Sequence, residues 1–174
     1  MEKYRQFIEM AIKLGANDAK VIKTDSIVIA AWVRWKCRYG CDGYDSSLCC
    51  PPNSPTYGET RELIACYKYA LLLHFTEGVD NVTEDPIDPT RVITTLERDI
   101  FLAGYYKAFA LGAGPCRLCT ECTMKDCRHV ESARPSMESC GIDVFGTVRN
   151  NGYRIEVLKE RSYMMNRFCL VLIE

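Results

Sequence analysis

No apolar run in this 174-residue chain is long enough to cross a bilayer. An excess of one charge is also missing: the net charge of −1 gives no reason to expect a nucleic-acid backbone as partner. The chain has no glycine-rich nucleotide loop, no phosphate-binding lysine motif and no nucleophile elbow, which removes the commonest phosphoryl- and acyl-transfer signatures. The radical-enzyme spacing C-x3-C-x2-C is absent, because Cys37-x3-Cys41 has no third cysteine three residues later. The opening Met-Glu-Lys-Tyr-Arg-Gln is polar and amphipathic where an export signal would be apolar, so a cytoplasmic protein is expected. The rest is ordinary for a folded chain, with 48% hydrophobic and 26% charged residues. That length suits one domain with a real core, expected to span 1–174.

Cysteine is the exception, with eleven residues. A disulfide scaffold is disfavoured, since the count is odd, no export signal is evident and the chain is large enough not to need staples. Burial as small hydrophobes accounts for a few, and Cys66 and Cys169, set among apolar neighbours, are expected in the core. The others cluster on two Cys-rich loops, at 37–58 and 112–135, and metal ligation in a reducing compartment remains as their explanation.

The second loop reads Cys116-x2-Cys119-x2-Cys122-x4-Cys127, one residue longer at its end than the bacterial ferredoxin spacing. Three thiols at that spacing converge on one side of a short loop while backbone amides point at the same centre, as a 4Fe–4S cluster requires. Zinc is the alternative, although zinc usually gathers its ligands as two separated pairs. His129 is near enough to replace one thiolate in either case. The first loop reads Cys37-x3-Cys41-x7-Cys49-Cys50-Pro51-Pro52. Adjacent side chains in extended chain point opposite ways, so one metal is expected to take one member of the Cys49–Cys50 pair. Cys50, held extended by the prolines, is the favoured ligand, with Cys49 turned into the protein. Cys37, Cys41 and Cys50 then need a fourth partner. Candidates are Cys49, Cys140 or, by exchange between loops, Cys127; otherwise one position stays open to substrate. The expected cofactor is thus one or two 4Fe–4S clusters, with zinc as the alternative.

The motifs Cys37-x3-Cys41 with Cys50-Pro51-Pro52, Gly114-Pro115-Cys116 through Cys127-Arg128-His129, Arg134-Pro135-Ser136-Met137-Glu138 and Gly141-Ile142-Asp143-Val144 carry a resemblance. In these residues the chain resembles a family of predicted metal-binding, cysteine-rich proteins of anaerobic archaea and bacteria. The resemblance spans nearly the whole chain and implies metal or iron–sulfur binding.

Hydrophobic periodicity predicts a helix over 2–14 and a strand or hairpin over Val21–Trp35, broken near Thr24-Asp25-Ser26. It predicts a helix over 59–67, a buried strand over Tyr69–Phe75, a polar loop over 77–89 and a long helix from Thr90 to Leu111. A helix over 136–149 capped by Ser136 is expected next, followed by antiparallel strands over Tyr153–Leu158 and Phe168–Ile173. The fold class is α+β, or an α/β sandwich: a small, mostly antiparallel sheet with helices packed on it and both Cys loops at one edge or end.

Among other residues, Arg128, His129, Arg134 and Arg149 could bind an anion, although a solvated rim or pairing with nearby carboxylates is the commoner role. Asp143 is a candidate base but more simply a helix cap, His74 a core residue, and Tyr105, Tyr106 and Phe109 an aromatic core or interface patch. The functional expectation is an iron–sulfur protein that transfers electrons to a redox partner in an anaerobic pathway. The alternatives are an enzyme with an open-coordination iron acting as Lewis acid and a zinc-stabilised interaction module. Whether the chain is an enzyme is left open.

Overall fold

In the computed structural model the described residues are 2–77, 87–160 and 164–174. A 3-10 turn at Glu2–Tyr4 leads into α1 (Arg5–Lys13), which buries Phe7 and Ala11 one helical turn apart. Gly15, at φ 114°, then turns the chain into β1 (Asp18–Lys23). The expected break at Thr24–Ser26 is a 3-10 turn. Beyond it the extended reading fails: Ala31–Gly40 is a helix, α2. Its Trp and Val residues looked strand-forming, but Trp32, Trp35 and Tyr39 lie outward and Val33 inward, so local propensity gave way to packing. Cys37 therefore lies in a helical last turn, and Cys41 closes it.

The next helix, α3 (Tyr57–Ala65), starts with a full capping box: Thr56 accepts from the Glu59 amide, and Glu59 reaches back to the Thr56 amide at 2.7 Å. It delivers the chain to β2 (Tyr69–Glu77). The polar loop expected over 77–89 lies, from 78 to 86, outside the described residues. Asp88 then caps α4 (Pro89–Leu102), with Pro89 at its first position. This helix is shorter than predicted. Gly104, at φ 98°, ends it, and 109–111 form the edge strand β3 (Phe109–Leu111). Val92, Ile93, Leu96 and Ile100 are its buried face, whereas Leu102 and Tyr106 are exposed. The predicted helix over 136–149 is in fact a turn at 137–141 and then α5 (Val144–Asn150), capped by Asp143 through the Gly146 amide. Ser136 caps the turn instead, accepting from the Ser139 amide. Residues 153–158 make no strand pairing, and β4 is Met165–Leu172.

The sheet order is β1-β2-β4-β3, with every neighbouring pair antiparallel. Both faces of it are covered. Leu71, Leu73, Phe75, Cys169 and Val171 face α1 and α4, while Ala70, Leu72, Phe168, Leu170 and Leu172 face the side that holds Ile64, Met137, Ile142 and Val148. Burial on both faces explains why β2 reads as a continuous apolar run instead of alternating. Each fully buried Leu or Ile here contributes about 1.5–3 kcal/mol against exposure. The fold is a mixed α+β arrangement, as expected from the sequence.

Candidate metal centre

Both cysteine loops hang from fixed points of this frame. The second leaves the edge strand at Gly112 and returns beside it. Gly112 donates to the Pro135 carbonyl at 2.8 Å and Met137 donates to the Gly112 carbonyl at 2.9 Å. Arg134, at the loop's exit, is tied to Glu97 of α4 by hydrogen bonds of 2.6 and 2.7 Å. Glu97 also accepts from the Ala110 amide, so one carboxylate joins α4, β3 and the loop. The first loop is clamped by Arg34 of α2, which donates to Ser54, to the Pro55 carbonyl and to the Ser139 carbonyl. Ser54 donates to that same Ser139 carbonyl at 2.9 Å. Gly141 lets this turn approach closely: at φ 80°, a Cβ there would lie 2.8 Å from Cβ of Tyr57.

From these anchors the loops meet. A cavity of about 440 Å³ between them is lined by Cys49 of the first loop and by Cys116, Cys119, Cys122 and Cys127 of the second, with His129 at its wall. The Cys49 and Cys116 thiols are close enough to interact electrostatically. Burial, then the neighbouring Cys116 and Cys127 thiols, pushes the Cys49 thiol up from its ordinary proton affinity. Cys122 goes the other way. Amides of Met124 and of Leu48 hydrogen-bond its sulfur and lower its pKa, so a first-loop N–H supports a second-loop thiolate. Met124 adopts φ 58° in that turn.

The Cys49–Cys50 pair does diverge, but Cys49 is not turned into the interior. It faces the second-loop thiols. Cys50 is only 6% exposed and lies near Cys37. The half-buried Cys37 has its thiol raised by burial first, then by Cys41 and Glu138. The Gly43 amide donates to the Cys41 sulfur at 3.4 Å. The eleven thiols thus separate into a set of five around the cavity, a set of three (Cys37, Cys41, Cys50) beside it, and three others. Cys140 is in the core, 1% exposed, hydrogen-bonded with Ser139 and Thr60, and pushed up to about 11 by burial. Cys169 is fully buried, as expected. Cys66, expected in the core, is instead exposed at the end of α3, because its side chain turns back to the Glu62 carbonyl.

Of the other candidates, His129 is at the cavity wall and Arg128 donates to the Glu121 carbonyl. Arg134 is committed to Glu97, and Arg149 to the Ile155 carbonyl. Asp143 is a helix cap. His74 stacks on Phe168 and bonds Asn166 at 2.7 Å. The aromatic patch is dispersed: Tyr105 packs on Tyr4 and Phe7, while Tyr106 is exposed. Arg34 and the Leu48 amide had no motif to mark them, and Glu138, although it ends the Arg134–Glu138 motif, was not singled out as a site residue.

Among the described residues, no three His, Cys, Asp or Glu side chains are drawn together tightly enough to hold a single ion. The donor set nevertheless fits a thiophilic centre, with five thiols on one cavity and two amides directed at one of the sulfurs.

No curated protein and no solved structure matches this chain. Residues 20–173 match the family model described as predicted metal-binding protein (DUF2284). That span includes both cysteine loops and every thiol described above, and the chain belongs to this family of predicted metal-binding proteins.

Proposed function

We propose that this is an iron–sulfur protein in which Cys116, Cys119, Cys122 and Cys127 hold a 4Fe–4S cluster, and that it passes electrons to a redox partner protein in the cytoplasm of an anaerobe. The observation that carries this reading is the cavity on which these four thiols and Cys49 converge, with the Met124 and Leu48 amides on the Cys122 sulfur. Amide hydrogen bonds offset the negative charge that a thiolate-ligated cluster carries. When bound, such a cluster supplies one-electron transfer. Cys49 then either takes the place of one ligand or donates to a ligand sulfur and tunes the potential. Cys37, Cys41 and Cys50 anchor a second metal site, and residues 1–174 work as one metal-binding domain. The test is purification without oxygen followed by visible spectroscopy. A broad brown absorption that bleaches on reduction is expected, and colourless, redox-silent protein unfolded by a chelator would instead mean a zinc-stabilised module.

A second reading has its own observation. The first-loop set offers three thiols where a closed site takes four, and Cys37 and Cys41 also line a separate, larger cavity. An open iron position there would act as a Lewis acid on a small substrate. A change in the visible spectrum on adding substrate would favour this reading over relay alone.

A further inference from the structure

The larger cavity, about 810 Å³, lies between α2, the turn at 137–141, α5 and the segment 155–158. Its size is that of a small-molecule pocket. The walls are mainly apolar, with Trp32, Val33, Ile142, Phe145 and Phe168 among them. Polar groups on its lining are mostly committed elsewhere. Asp88 and Asp143 cap helices, Glu156 pairs with Arg154, Lys36 lies over the Trp32 ring and Arg167 is engaged elsewhere, while the Arg117 guanidinium also lines the wall. Glu138 differs. It lines the cavity, and its Oε2 is shielded from solvent with no hydrogen-bond partner among the described residues. A carboxylate half-removed from water without a partner is costly, and a cation arriving beside it relieves that cost. Glu138 also acts electrostatically on Cys37, which puts its negative charge at the end of the cavity where the first-loop thiols lie.

We propose that this cavity binds a small organic cation, a primary amine with an apolar body, whose ammonium group pairs with Glu138 and whose body packs on Trp32, Phe145 and Phe168. The site does not depend on the cluster assignment, since the cavity and the carboxylate are present whatever metal the thiols hold. Trp32 is on its wall and Trp35 is not, so replacing Trp35 leaves one reporter.

The experiment uses the full chain, purified without oxygen and carrying Trp35→Phe. It is titrated with 4-phenylbutylamine, 4-phenylbutanol and 4-phenylbutyrate while Trp32 emission is followed, with iron and sulfide measured on the same samples. Saturable change with the amine is expected, at about tenfold higher affinity than the alcohol, with the acid weakest. Glu138→Gln should bring the amine down to the alcohol's level and leave the metal content unchanged. Val157→Lys, at a wall position that is 74% exposed, keeps the fold and adds a like charge, and should weaken the amine about threefold. Equal affinity for amine and acid, or no saturation, would overturn the proposal. So would a Glu138→Gln protein that binds amine normally, or one that loses metal while the parent binds no amine, which would make Glu138 a metal ligand. Absence of iron alone would count against the cluster reading and not against this one.

Discussion

Cys49 and Cys116, 67 positions apart in the chain, bring their thiols together on the wall of one cavity. That contact joins the two cysteine loops into one thiol-lined cavity and separates Cys49 from its neighbour Cys50, which lies with Cys37 and Cys41.

Serine substitutions should therefore rank by cavity. Cys119→Ser and Cys122→Ser should lose most of the bound iron. Cys49→Ser should retain more of it but change the electron paramagnetic resonance spectrum of the reduced protein. Cys66→Ser, at an exposed helix end, should leave both unchanged. Loss of iron in Cys66→Ser would contradict the assignment.

The Glu97–Arg134 pair, with both side chains 14% exposed, anchors the exit of the second loop. Glu97→Ala removes the carboxylate acceptor of the Ala110 amide and of Arg134, which keeps only its bonds to the Val130 and Ala133 carbonyls. A loss of about 2–3 kcal/mol in chemical denaturation is expected, since hydrogen bonds to charged groups are worth about 1.5–3 kcal/mol. A change below about 0.5 kcal/mol would show the anchor to be dispensable.

Gly141 is both left-handed and crowded, with Tyr57 backbone and Cβ within reach of any added side chain. Gly141→Ala should cost about 1–3 kcal/mol from the strained backbone alone. It should also loosen the Ser139 carbonyl that Arg34 and Ser54 share, measurable as faster hydrogen exchange across the first loop.

Hydrogen bonds from Thr56, backbone first and then side chain, hold the Glu59 carboxyl below its ordinary value of 4.5. A folded-state pKa that is lowered contributes stability above the unfolded value and loses it as pH falls through the folded one. Glu59→Gln should thus be less stable than the parent at pH 7, with the difference shrinking as pH falls below the ordinary carboxyl value of 4.5 and through the lowered one. A constant difference across that range would place the effect outside the charge of the capping box.

The frame was legible where burial and period agree. Tyr69–Phe75 read as a buried strand because both sheet faces are covered, and the helices predicted over 2–14 and 59–67 are found as α1 and α3. Reading failed where aromatic residues serve exposed surfaces. Trp32 and Trp35 looked like strand but decorate a helix, and Tyr106 seemed to extend α4 past a stop that Gly104 signals. Tyr153–Leu158 has strand composition but pairs with no strand among the described residues. Of the site, the thiols and their grouping by loop were visible in spacing. The direction of Cys49, the Leu48 amide and the unpartnered Glu138 depend on how two distant loops meet, which spacing within either loop does not encode.

Anaerobic analysis of iron and acid-labile sulfide on the purified full chain tests the cluster most directly. Iron and sulfide in equal amounts, both falling sharply in Cys119→Ser, is the result predicted. Stoichiometric zinc with no iron and no sulfide would contradict it.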